Sequence, residues 1–193
     1  MDLDFSEEQE MLREMVRGVS GEYASLDVVR EMEDDPTGYP AELWKQLSEL
    51  GVLGLLVPEK YTGSGQSMLE AAIVYEEFGR ALVPSPHFAS CVMSAGVLQL
   101  TGSEDQKQEW LPKIVSGEAI LAPAWIEPES GFGARGVQLQ AKLEGDEYRL
   151  SGTKRHVPFA SSATRFVVLV RTGDGEEDGS LVRNNVKGWT QGG

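Results

Sequence analysis

Apolar residues recur at helical spacing through the first part of the chain and at strand spacing after it. Ser6-Glu7-Glu8-Gln9 has the form of a capping box, so a helix starts at Ser6 with Met11, Leu12, Met15, Val16 and Val19 on one face. Gly21 is expected to weaken that helix before Val28 and Val29, and Asp34 to Gly38 reads as a loop. Pro40 suits the first turn of a second helix, with Leu43, Trp44, Leu47 and Leu50 as its buried stripe and Gly51 as its stop. Gly51 to Val57 reads as a short extended piece, and Thr62 to Gly65 as a loop. Ser67 to Leu82 predicts a third helix with Ala71, Ala72, Val74, Tyr75 and Phe78 inward. Phe88 to Leu100 is the most apolar segment and predicts a central fourth helix. Ser103-Glu104-Asp105-Gln106 opens a fifth, which Pro112 should bend or end.

Near Gly117 the period changes from 3.6 to 2. Ile120 to Trp125, Val137 to Leu143 and Thr164 to Val170 read as strands, separated by turn formers at Pro128, Gly131, Gly133, Gly145-Asp146 and Gly152. Glu144 to Glu147 lies between two strand-like runs and reads as a hairpin turn. The predicted fold is therefore α+β. An all-α helical bundle over 1–117 is followed by a partial antiparallel β-domain over 118–171 and an irregular tail over 172–193.

Composition narrows the function. At 193 residues, 40% hydrophobic and 25% charged, the chain has ordinary globular composition. A net charge of −14 argues against nucleic acid and against anionic membrane surfaces. Phe88 to Leu100 falls short of the roughly 20 apolar residues that span a bilayer. The acidic opening MDLDFSEEQE is unlike a secretory signal. One cysteine, Cys91, excludes an internal disulfide and fits a reducing compartment, so a cytoplasmic location is expected.

The chemistry-bearing residues are few. Gly131-Phe132-Gly133-Ala134-Arg135-Gly136 fits G-x-G-x-x-G by letter, but a dinucleotide fingerprint needs a helix to follow, and Val137 to Leu143 alternates like a strand. His87 and His156, the only histidines, have no partners at metal-ligand spacing. Cys91 sits among apolar residues and reads as inert packing. Glu7-Glu8 and Glu76-Glu77 diverge around their helices and are expected to be solvated.

Several pieces in order carry a resemblance. They are Phe5 to Gln9, Val57-Pro58-Glu59-Lys60-Tyr61-Thr62-Gly63-Ser64-Gly65, and Glu76-Glu77-Phe78-Gly79-Arg80. Gly102 to Lys107, Trp110-Leu111-Pro112 and Ser116-Gly117-Glu118 follow, then Glu127-Pro128, Gly131, the run GDEYRLSGTK from Gly145 to Lys154, and Val167 to Val170. In this order they resemble the acyl-CoA dehydrogenases over roughly residues 3 to 171. The resemblance implies an FAD enzyme that oxidises the α,β bond of an acyl-CoA thioester. It also implies an oligomer and an electron-accepting flavoprotein as partner. No catalytic residue is assigned to this chain, because the family's base is expected in a C-terminal helical domain that these residues do not include. Taken alone, the chain is expected to be inactive.

The resemblance further implies a flavin wall made by Trp125, Ile126, Gly131, Phe132, His156, Val157 and Pro158. The family's hydroxyl before Glu-Pro is Ile126 here, and its turn serine is Phe132. Its stacking tryptophan is His156, and the hydroxyl two residues on is Pro158. Ile126 and Phe132 have no side-chain donor and Pro158 lacks even a backbone N–H, leaving backbone N–H groups at Ile126 and Val157, with Trp125 as a new stacking surface. Three readings stay open: part of an active dehydrogenase, a non-catalytic subunit of a heteromeric one, or an interaction module without flavin or acyl-CoA.

Overall fold

The computed structural model describes residues 4–128, 136–145, 147–173 and 179–183, the last as backbone only. Its contacts divide the chain into two compact units, Met1–Ala119 and Ile120–Gly193.

The first unit is helical. Helix α1 spans Glu7–Tyr23 and is opened by Ser6, whose Oγ accepts the Gln9 N–H at 3.2 Å while the Gln9 side chain accepts the Ser6 N–H at 3.0 Å. It runs through Gly21, and Ser25 caps a separate α2, Leu26–Asp34. Helix α3, Ala41–Glu49, buries Leu43, Trp44 and Leu47. Leu50 is exposed and does not join that stripe, because Gly51 turns the chain in the left-handed region at φ +74°. The segment after it is not extended. Val52–Gly54 and Glu59–Tyr61 wind into 3-10 turns.

Helix α4, Met68–Ala81, packs chiefly on α1. Ala71, Ile73, Val74, Glu77 and Phe78 are buried, Tyr75 is half-buried and Ala72 is exposed. The inward face is thus rotated from the expected one, and it includes a charge. Glu77 has a side chain only 1% exposed, and the expectation that it is solvated fails. Arg17 of α1 meets its two oxygens at 2.7 and 3.1 Å, and Arg80 reaches it at 2.8 Å. The Arg17 hydrogen bond outweighs burial and holds the Glu77 carboxyl at about 2.

Phe88 to Leu100 is two helices in succession, a π-helix over Phe88–Ser94 and α5 over Ala95–Thr101. Ser103 caps α6, Glu104–Val115. Pro112 does not end α6. Leu111 and Ile114, on either side of it, are fully buried, and their packing offsets the lost backbone bond of about 3 kcal/mol. The Trp44 indole donates to the Gly117 carbonyl at 3.1 Å, fixing the chain just after α6.

Among its described residues the second unit has five strands: β1 Leu121–Ala124, β2 Ala141–Glu144, β3 Glu147–Leu150, β4 Arg165–Arg171 and β5 Gly179–Arg183. β2 and β3 form the expected antiparallel hairpin, with Leu143 opposite Tyr148. β4 and β5 also pair antiparallel, but β1 pairs parallel with β4, with Leu121 opposite Arg165, so that sheet is mixed, in the order β1-β4-β5. β5 lies in the stretch expected to be irregular. The core of the unit is Ala122, Ala124, Ala141, Phe166, Val168 and Val170, with Leu139, Leu150, Val157, Ala160 and Ala163 packed against it. Thr164 fixes the start of β4, since its hydroxyl bonds both the N–H and the carbonyl of Ile120.

Candidate functional site

Beyond β1 the chain continues as Trp125-Ile126-Glu127-Pro128, and beyond β3 it reaches Lys154-Arg155-His156-Val157-Pro158. The fold sets these segments side by side. The Ile126 carbonyl accepts the Arg155 N–H at 2.7 Å in an antiparallel bridge. The N–H and carbonyl of an extended residue point to the same side, so the Ile126 N–H also turns toward Arg155. It is therefore not an outward donor of the kind the sequence led us to expect.

Beside the bridge lies a buried ion pair. Lys154 Nζ stands 2.7 Å from Glu127 Oε1, with the side chains 2% and 9% exposed. Lys154 Nζ also donates to the Trp125 carbonyl at 3.3 Å. Glu127 further accepts the N–H groups of Gln138 at 3.0 Å and Leu139 at 3.1 Å. Burial alone would raise the Glu127 carboxyl. The Lys154 hydrogen bond and the two backbone N–H groups outweigh it and hold the carboxyl below the usual range. Sequence reasoning treated Glu127 and Lys154 as motif letters and missed the pair. The sequence offered little signal: a carboxylate between Ile126 and Pro128, and an ammonium 27 residues on.

Around this clamp Trp125 and Ile126 are half-buried, Val157 and Pro158 are half-buried, and His156 is exposed. Val157 packs on the core of the unit. His156 has a left-handed backbone at φ +52°, as does Phe159 three residues on. Gly131 and Phe132 lie outside the described residues.

The helical unit holds other features of interest. His87 is buried, its Nε2 3.1 Å from the Val52 carbonyl and its Nδ1 2.6 Å from the Tyr75 hydroxyl. The carbonyl can only accept, so Nε2 carries the proton and Nδ1 accepts from Tyr75. Burial pulls His87 down to about 4 and pushes the Cys91 thiol up, so neither is poised for chemistry near neutral pH. An open groove of about 420 Å³ is lined by Gln9, Leu12, Leu50, Val52, Leu55 and Glu70, among others. Among the described residues no cluster of His, Cys, Asp and Glu could hold a metal ion, and no helix is long and apolar enough to cross a membrane.

This architecture, a helical unit followed by a small mixed sheet and a hairpin, has close counterparts. A profile described as "Acyl-CoA dehydrogenase, N-terminal domain" matches residues 6–118. The chain belongs to the acyl-CoA dehydrogenase family. It is 33% identical over 186 residues to the probable acyl-CoA dehydrogenase YngJ of Bacillus subtilis, covering 94% of this chain and 48% of that protein. It is 34% identical over 169 residues to the mitochondrial isovaleryl-CoA dehydrogenase of Bos taurus, covering 86% of this chain and 40% of that protein. The chain therefore spans about half the length of the curated relatives it matches.

Solved structures agree. The acyl-CoA dehydrogenase of Geobacillus kaustophilus superposes with a TM-score of 0.84 at 27% identity, covering 100% of this chain and 52% of that one. A glutaryl-CoA dehydrogenase from Mycobacterium smegmatis in complex with FADH2 gives 0.82 at 26% identity, covering 96% and 48%. The ChsE4-ChsE5 complex from Mycobacterium tuberculosis gives 0.76 at 31% identity, covering 89% and 46%.

Proposed function

We propose that this chain supplies the N-terminal helical unit and first β-strands of a flavin-dependent acyl-CoA dehydrogenase, an oxidoreductase acting on the α,β bond of an acyl-CoA thioester. The observation that supports this best is the Glu127–Lys154 clamp, in a chain whose relatives are named for that activity. It holds Trp125-Ile126 against Arg155 to Pro158, the two segments that the family resemblance makes a flavin wall. FAD is the cofactor of the proposal, as FADH2 is in the Mycobacterium smegmatis structure.

The residues fit an isoalloxazine in part. Trp125 and Ile126 offer apolar and aromatic surface, and His156 an exposed ring. Ile126 and Pro158 bring no side-chain donor, so hydrogen bonding falls to His156 and to the Val157 backbone N–H. With Gly131 and Phe132 these five residues are the proposed cofactor contacts. FAD supplies two-electron redox chemistry. The chain's share is to bind and orient that ring and to keep the wall rigid. Glu127 is not a base in this proposal, because Lys154 and two backbone N–H groups already hold it. The 193 residues alone should not dehydrogenate acyl-CoA, because no residue among them is assigned as the base. An acyl-CoA substrate, a homo- or hetero-oligomer, an electron-accepting flavoprotein and a cytoplasmic location belong to the same proposal.

A second reading is favoured by the donors missing at Ile126 and Pro158. This chain would then belong to the flavin-poor subunit of a heteromeric dehydrogenase, and one similar structure is itself a two-component complex. Titration with FAD, followed by flavin fluorescence, tests both. The first reading expects saturable binding by the chain, tightened by Pro158→Thr. No binding by wild type or variant, with a flavin-bearing protein co-purifying instead, selects the second.

A further inference from the structure

The hairpin β2–β3 leaves one strand edge unused. Among the described residues β3 pairs only with β2. The turn between Glu144 and Glu147 is two residues long, the geometry in which the closing pair is hydrogen-bonded. Hydrogen-bonded and non-hydrogen-bonded pairs alternate from there, so the N–H and carbonyl of Tyr148, opposite Leu143, point away from β2 to the free edge. Such an edge is a template for another strand. Its side chains alternate as well. Tyr148 shares a face with Leu143, and both are exposed. Glu147 and Arg149 stand on the other face, exposed too. There the hairpin sets like against like, with Glu147 opposite Glu144 and Arg149 opposite Lys142. Directly opposed like charges destabilise a strand pair. The diagonal contact of Arg149 with Glu144 at 3.3 Å offsets part of this, but among the described residues no cation pairs with Glu147.

We infer that the β3 edge is the docking surface for a second copy of this chain, the two β3 strands pairing antiparallel about a two-fold axis at Tyr148. Among symmetric antiparallel registers, only this one sets Glu147 of each copy opposite Arg149 of the other, in two pairs related by the axis. The two Tyr148 residues then exchange their outward N–H···O bonds, and Leu143 and Tyr148 of both copies form one apolar strip. Glu147 gains the cation it lacks within its own hairpin. That self-complementarity of charge selects a second copy over an unrelated strand. The interface is small and belongs to the weak, reversible class. It gives the homo-oligomeric form of the proposal above a surface. It does not involve the flavin, so self-association and FAD titration can fail separately.

The experiment is sedimentation velocity of the 193-residue chain over a range of concentrations, with Glu147→Arg and Arg149→Glu made singly and then mixed. Wild type should form a dimer whose share rises with concentration. Each single variant sets like charge against like across the axis and should associate about tenfold or more weakly, since both symmetry-related pairs change sign. An equimolar mixture of the two should recover the dimer, because each variant supplies the charge that the other lacks. Amide hydrogen exchange of wild type needs no variant, and the Tyr148 amide should gain protection as the dimer forms. A wild type that stays monomeric at every concentration overturns the inference. So does a dimer untouched by both single variants, which places self-association on another face. A mixture that fails to recover the dimer, or a Tyr148 amide that exchanges alike in monomer and dimer, overturns it as well.

Discussion

Glu127 and Lys154 meet at 2.7 Å with almost no solvent around them, and that contact ties the segment leaving β1 to the segment leaving β3. The two residues are far apart in sequence, and each would be costly to bury alone. Removing one partner of a buried pair typically costs about 3–5 kcal/mol, mostly from the charge left behind. Glu127→Gln and Lys154→Met should each destabilise the chain by about that much. The double variant should recover about 2 kcal/mol or more of their summed loss. A double-mutant cycle by urea denaturation measures this, and additivity would mean that the contact is not a coupled pair.

His87 makes stability depend on pH in a defined window. Its ordinary value is 6.5 and its folded value about 4, because burial penalises the charged ring. Above pH 6.5 both folded and unfolded chains hold a neutral ring, and the shift contributes nothing. As pH falls from 6.5 to 4, the unfolded chain takes up a proton that the folded chain refuses. Stability should then fall by 1.36 kcal/mol per pH unit, about 3 kcal/mol in all. Glu70 and Glu77, both held at about 2, lose their contributions only as pH falls through and below 4.5. The drop between pH 6.5 and 5 therefore reports His87. His87→Gln can keep both hydrogen bonds without the titration. Denaturation across this range should slope for wild type and be flat for the variant.

Two glycines should respond to alanine in opposite directions. A Cβ on Gly63 would run into the Val57 carbonyl, a backbone atom that cannot step aside. Gly63→Ala should cost about 1–3 kcal/mol or more. Gly18 lies inside α1 on an exposed face, with nothing within 4 Å of an added Cβ. Gly18→Ala should stabilise by about 0.5–1 kcal/mol through helix propensity and unfolded-state entropy. Thermal denaturation of the pair settles both signs.

Leu82 ends α4 in the left-handed region at φ +53° while 61% of it is exposed. Glycine is the residue that position favours. Leu82→Gly should stabilise the chain by about 1 kcal/mol. A lower melting temperature for the variant would show that the leucine makes contacts worth more than its strain.

What the sequence determined by itself is local. Ser6 and Ser103 announced their helices because a capping box is satisfied within four residues of chain. The hairpin at Glu144 to Glu147 and the change of period near Gly117 were readable for the same reason. The family was legible as well, since its motifs keep their order along the chain. The tertiary structure decided which periodic faces were buried and which charges went with them. Glu77 looked like any solvated helix acid until α1 brought Arg17 onto it. Pro112 looked like a bend or an end of its helix until the packing of Leu111 and Ile114 carried α6 past it. The parallel pairing of β1 with β4 and the Glu127–Lys154 clamp join residues tens of positions apart. No local periodicity encodes such contacts, because they are selected by the free energy of the whole packed unit.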